Sequence, residues 1–177
     1  MAILRIRTFK DPVLRQRARK VDKITNLHNK LIADMFDTMR DAPGVGLAAP
    51  QVGVVERIFV WEFEDRSGAF INPKILSRSS ETEDDEEGCL SLPGIVYEVR
   101  RSSEVTIEGL DAGGNPITMK VSGLLARIFQ HEVDHLDGVL FVDRLSEEMR
   151  REALTTLRNQ ALGLPAAITE VPAEGAL

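Results

Sequence analysis

GLLARIFQHEVDHLDG, residues 123 to 138, is the stretch on which the reading of this chain turns. On a helix at ~100° per residue, Leu124, Ile128, His131 and His135 share one narrow face. Leu125, Phe129, Val133 and Leu136 share an adjacent one, and Arg127, Gln130 and Asp134 fill the remainder. Such a helix is mostly buried, and two histidines embedded in its apolar side need partners. Four residues apart, both imidazoles can reach one metal ion. Glu132 lies ~100° around the helix from His131, so its carboxylate can meet a water on that ion without being forced to ligate it.

Working outward, the only cysteine is Cys89, within EGCLSLPG (residues 87 to 94). One cysteine forms no internal disulfide, so Cys89 is a buried filler, a nucleophile or a metal ligand, and a reducing cytosol suits all three. As a third ligand beside two neutral imidazoles, a thiolate suits a borderline divalent ion and leaves the fourth tetrahedral position open, as catalytic sites do. Glu132 is then placed as a general base that takes a proton from the metal-bound water and passes it to a leaving amine. Other readings stand beside this one. A histidine-activated Cys89 nucleophile would leave the second histidine and Glu132 unused. A closed structural site would take Asp134 or Asp137 as fourth ligand. A thermolysin-like peptidase would draw its third ligand from a histidine or glutamate.

The remaining pattern predicts an α+β fold. Leu27, Leu31, Ile32, Met35, Phe36 and Met39 form the apolar half of an early helix capped by Thr25 or Asn26, with His28 as a packed or edge histidine. PGVGLAAPQVG (43 to 53) reads as a tight structured loop. RIFVWE (57 to 62), FINPKIL (70 to 76), GIVYEVR (94 to 100), EVTIEGL (104 to 110) and NPITMKVS (115 to 122) read as half-buried antiparallel strands, with DAGGN (111 to 115) as a hairpin turn. The acidic run ETEDDEE (81 to 87) reads as a solvated loop or strand edge. A last helix capped by Ser146 carries a stripe of Met149, Ala153, Leu154, Leu157 and Ala161. The expectation is one core, with antiparallel strands surrounding a central buried helix: a single catalytic metallo-domain over 1–162 and a flexible tail over 163–177.

A net charge of −6 argues against a specific nucleic-acid partner. No apolar run approaches the ~18 residues that span a bilayer, so no membrane partner is expected. The opening residues carry no export signal, which makes the cytoplasm the expected location.

Three blocks together resemble one family. GVGLAAPQ (44 to 51), EGCLS (87 to 91) and QHEVDH (130 to 135) look like the three signature motifs of peptide deformylase, in that family's order. DPVLRQRA, INP, GLLA and LDGVLFVDRLS extend the likeness over roughly residues 1 to 162. The resemblance implies that Cys89, His131 and His135 bind the metal and that Glu132 is the acid/base. It implies that the Gln51 amide and the Leu90 backbone N–H stabilise the oxyanion. It further implies a slot for the methionine side chain lined by Val45, Leu124 and Ile128, with Gly46 and Gly88 letting the peptide backbone approach. The implied substrates are N-formylmethionyl peptides and nascent chains, from which formate is released. The implied cofactor is one divalent ion, Fe²⁺ in the cell, with Zn²⁺, Ni²⁺ or Co²⁺ accepted by the purified protein. A monomer is expected, and transient ribosome contact is a hypothesis for a sedimentation assay. Arg127 departs from the pattern, standing beside the slot where many relatives carry an apolar residue. Asp134, Arg101 and Glu87 lie close to the motifs and are read as charges that pair to orient the ligands.

Overall fold

The computed structural model describes residues 2–164, so the expected tail lies almost wholly outside the described residues. In chain order the main elements are α1 (Asn26–Asp41), β1 (Gly46–Ala48), β2 (Ile58–Phe63), β3 (Arg66–Arg78), β4 (Thr82–Cys89), β5 (Leu92–Ser102), β6 (Glu104–Leu110), β7 (Pro116–Ser122), α2 (Gly123–Leu136) and α3 (Glu147–Ala161). The fold is α+β with antiparallel sheets. Five strands pair in the order β1-β2-β3-β6-β7, and β4 and β5 form a separate hairpin.

The glycine-rich loop expected over 43 to 53 is more ordered than its sequence suggests. Gly46–Ala48 pairs with β2, and a 3-10 turn, Ala49–Val52, ends at Gly53 with φ 88°. The acidic run is a strand rather than a loop. It pairs with β5 along its length, Glu83 opposite Arg101 and Asp85 opposite Val99, and keeps most of its carboxylates exposed. β3 shifts register around Asn72 and Pro73. Asn72 takes φ 54° there, and its side chain bonds both the N–H and the C=O of Val21, tying the N-terminal segment to the sheet.

Strand β2 explains how two helices share one sheet. Its residues alternate direction, so Phe59 and Trp61 join one apolar cluster while Ile58 and Val60 join another. In the first they meet Leu125, Phe129, Val133 and Leu136 of α2; in the second, Ile32, Met35 and Met39 of α1. A third cluster, with Leu92, Ile95 and Val99 of β5 and Ala153 and Leu157 of α3, lies under the hairpin. The single core expected from composition is therefore three clusters, because the five-stranded sheet is covered on both faces and the hairpin has its own cover. Ala161, placed on the α3 stripe, is exposed.

Local signals fix the helix ends. His28 belongs to the cap of α1: its Nδ1 accepts the Thr25 N–H at 3.0 Å and its Nε2 faces Glu56 at 3.2 Å. The turn after α2 needs Gly138, whose φ is 74° and where a Cβ would stand 2.7 Å from the Arg15 carbonyl oxygen.

Phe129 centres the first cluster, with ring centroids 5.2 Å from Trp61, 5.4 Å from Phe70 and 5.6 Å from Phe59. Phe129→Ala is expected to cost about 3–5 kcal/mol of unfolding free energy, read by denaturant titration. A loss below ~1 kcal/mol would contradict this packing.

Candidate metal centre

Two elements meet at the site. Helix α2 presents His131, Glu132 and His135, while the end of β4 presents Cys89. Cys89 Sγ lies 3.2 Å from His135 Nε2, which lies 3.2 Å from His131 Nε2, and the three donor atoms fall within 4.8 Å of one another. Ligands ~2.0–2.3 Å from a tetrahedral ion stand about 3.3–3.6 Å apart, so this set fits one borderline divalent ion.

The surrounding charges fit it too. His131 Nδ1 is 3.0 Å from Glu87 Oε2; a carboxylate only accepts, so the proton sits on Nδ1 and the Nε2 lone pair faces the cluster. Burial disfavours a charged His131, but Cys89 and Glu87 outweigh it and raise its pKa well above the histidine range. Negative neighbours therefore call for positive charge at this point, as a proton or as a cation. Burial and the neighbouring His131 push His135 well below that range, and it is neutral. Its Nδ1 is buried without a partner among the described residues.

Glu132 is buried, and its Oε2 has no partner among the described residues. Burial foremost, reinforced by Glu87 and Asp134 and opposed by His131, pushes its carboxyl up to about 7. A carboxyl so placed can take up and return a proton. Gly46 makes room for it, since a Cβ there would stand 2.3 Å from Glu132 Oε1. No such crowding applies at Gly88, where a Cβ would meet Val96 only at 3.6 Å. Gln51 is fully buried; its Oε1 accepts the Ala48 N–H at 2.8 Å, which turns Nε2 toward Ser91 Oγ (3.2 Å) and Cys89 Sγ (3.6 Å).

Of the residues singled out in the sequence, Val45, Gly46, Gln51, Gly88, Cys89, Leu90, Leu124, Ile128, His131 and Glu132 line one cleft of about 380 Å³. His135 joins them through Nε2. Val45 and Leu124 are 47% and 45% exposed, so they form a rim rather than a buried slot. Ser91, Ile95 and Val96 were not legible as site residues, although Ser91 closes the EGCLS block and Ile95 and Val96 follow it closely.

The expected pairing of charges occurs and is buried. Arg101 bonds Glu87 through Nε at 2.7 Å and Nη2 at 2.9 Å, and bonds Asp134 through Nη1 at 2.6 Å. Arg144 reaches the same Asp134. Burial alone would raise the Glu87 pKa, but Arg101 and His131 hold it well below the carboxylate range.

Known proteins are similar to this chain in sequence and in fold. A family model described as polypeptide deformylase matches residues 3–151. The peptide deformylase of Acidothermus cellulolyticus is 48% identical over 158 residues, covering 89% of this chain and 87% of that protein. The crystal structure of a peptide deformylase from Legionella pneumophila superposes with a TM-score of 0.86 at 42% identity, covering 91% of this chain and 96% of that one. That of Ehrlichia chaffeensis peptide deformylase in complex with actinonin gives a TM-score of 0.87 at 37% identity, covering 90% and 98%.

Arg101→Met would strand Glu87 and Asp134 with fewer counter-charges in a buried setting. It is expected to lower unfolding free energy by about 3–5 kcal/mol in equilibrium denaturation. A loss under ~1 kcal/mol, the worth of a surface pair, would contradict the buried network.

Proposed function

The chain belongs to the polypeptide deformylase family and is a hydrolase, and from that premise we propose that it removes the N-formyl group from the formylmethionyl end of newly made peptides, releasing formate. The observation that best supports this reading is the convergence of Cys89, His131 and His135 donors in a cleft where Glu132 also keeps a carboxylate oxygen unpartnered. We read α2 as the central element of one catalytic unit over 1–162.

In this proposal Cys89, His131 and His135 hold one divalent ion, Fe²⁺ in the cell and Zn²⁺, Ni²⁺ or Co²⁺ in purified protein. When bound, the ion supplies Lewis acidity that makes a formyl carbonyl more electrophilic and a water more acidic. The other steps fall to side chains and backbone. Glu132 accepts the proton of the attacking water and returns it to the departing amine, a role its position beside His131 allows. Gln51, its amide already turned by the Ala48 N–H, meets the negative charge that develops on the formyl oxygen, with the Leu90 N–H as second donor. Because the Gln51 amide is fixed before substrate arrives, no reorganisation is needed as that charge forms.

Selectivity follows from space and edges. A formyl carbon carries only hydrogen, so the crowded floor around Gln51, Leu90 and Cys89 excludes larger acyl groups by clash. Val45, Leu124 and Ile128 offer the methionine side chain apolar surface. β1 is an outer strand of its sheet, so a peptide adding alongside it near Gly46, with Gly88 opposite, would be held mainly by backbone bonds, which read little sequence beyond the first residue. The enzyme is expected to work as a monomer in the cytoplasm, meeting nascent chains with at most transient ribosome contact. Among the described residues no helix is long and apolar enough to cross a membrane.

The test is formate release from formyl-Met-Ala by protein loaded anaerobically with Fe²⁺. Glu132→Gln is expected to lower kcat by about 10²–10⁴-fold with metal content unchanged by elemental analysis. Near wild-type turnover in that variant would contradict the role of Glu132. Gly46→Ala, whose Cβ would displace the Glu132 carboxylate, is expected to lower kcat in the same direction while still binding metal. Unchanged kcat there would show that the carboxylate position does not matter.

A further inference from the structure

Helix α2 rests on two unlike surfaces. Its apolar residues pack against the five-stranded sheet, yet none of them belongs to the apolar cluster under the β4–β5 hairpin. Besides the contacts of His131 with Glu87 and of His135 with Cys89, the helix meets the hairpin through the polar stripe Arg127, Gln130 and Asp134, all three buried. Gln130 bonds the N–H and C=O of Ser102, and Asp134 bonds Arg101. Arg127 reaches furthest. Its Nη1 donates to Glu87 Oε1 at 3.0 Å and to the Val99 carbonyl at 2.6 Å, and its Nη2 donates to the Glu83 carbonyl at 2.9 Å. One guanidinium thus ties both strands of the hairpin to the helix.

We propose that Arg127 is a positioning residue for the metal centre: it sets where the cysteine-bearing hairpin stands relative to the histidine-bearing helix. The inference rests on the metal-site reading above. The ligands come from those two elements, His131 one turn beyond Arg127 on α2 and Cys89 at the end of β4, so whatever fixes the hairpin on the helix fixes the ligand set. Apolar packing is tolerant of small slides, whereas a planar fork bonded to three acceptors on two strands is not.

Arg127 also completes the surroundings of Glu87. A carboxylate offers about four acceptor sites. Arg101 Nε and Arg127 Nη1 lie on Oε1, while Arg101 Nη2 and His131 Nδ1 lie on Oε2. With both positions on Oε1 taken, Oε2 stays directed at His131, holding that ring with Nε2 toward the other ligands. Without Arg127 the carboxylate keeps Arg101 but gains freedom to turn, and its bond to His131 is the one that loosens.

The experiment measures Co²⁺ affinity by chelator competition, and the thiolate-to-cobalt charge-transfer absorption, in the wild-type protein, Arg127→Met, Arg127→Lys and the surface control Lys120→Met. Arg127→Met is expected to weaken affinity about 10–100-fold and to diminish the thiolate band. Arg127→Lys, which can reach fewer of the acceptors, should fall between it and wild type, and Lys120→Met should match wild type. If Arg127→Met fails to fold, Arg127→Lys decides alone. Wild-type affinity with an unchanged band in every folded Arg127 variant would overturn the inference, even if those variants melt earlier. If the wild-type protein itself takes up no stoichiometric Co²⁺, the metal-site reading falls, and this inference with it.

Discussion

A carboxylate buried among two strands and a helix is the constraint on which the rest of this structure leans. Glu87 gives up its hydration and recovers it through donors from Arg101, Arg127 and His131. Uncompensated, such a charge would cost several kcal/mol. Compensated, it links the hairpin to helix α2 at the place where Cys89 faces the two histidines. Asp134 repeats the arrangement one step along the helix, between Arg101 and Arg144. The guanidiniums of Arg101, Arg127 and Arg144 thus answer the carboxylates of Glu87 and Asp134 beside the cluster of Cys89, His131 and His135.

Two kinds of force divide the work. Phe59, Trp61, Phe70 and Phe129 interlock and hold α2 on the five-stranded sheet by close contact of large rings. Directional bonds hold the hairpin on the opposite side of the same helix. The first fixes where the helix lies; the second fixes what faces it. Buried ionic networks are a weak source of stability, and their use here is in specifying one arrangement of groups that must meet at a point.

Much of this was legible from sequence. Strand alternation in EVTIEGL and the turn DAGGN gave β6 and its hairpin to β7, and the buried helix from Gly123 followed from its apolar periodicity. The residues lining the cleft came largely from three short motifs. What escaped had a common cause: its meaning lies in partners distant along the chain. Glu87 reads in sequence as one of a few charges that pair near the site, but its bonds to Arg127 and His131 emerge only when the fold brings those residues to it. Arg127 looks like polar filler, or a pocket rim, until two carbonyls of the hairpin are seen in front of it. β1 hides in a glycine-rich loop because three residues carry no period, and its strand character comes from pairing with Phe59, Val60 and Trp61. The separate cluster under the hairpin was hidden for the same reason, since composition reports how much apolar surface exists and not how layers divide it.

The central claim is that one sulfur and two imidazole nitrogens, delivered by different elements, surround a single ion. X-ray absorption spectroscopy on the zinc-loaded protein tests it directly. The account requires one sulfur at about 2.3 Å and two imidazole nitrogens at about 2.0–2.1 Å from the metal. A coordination sphere without sulfur would contradict it.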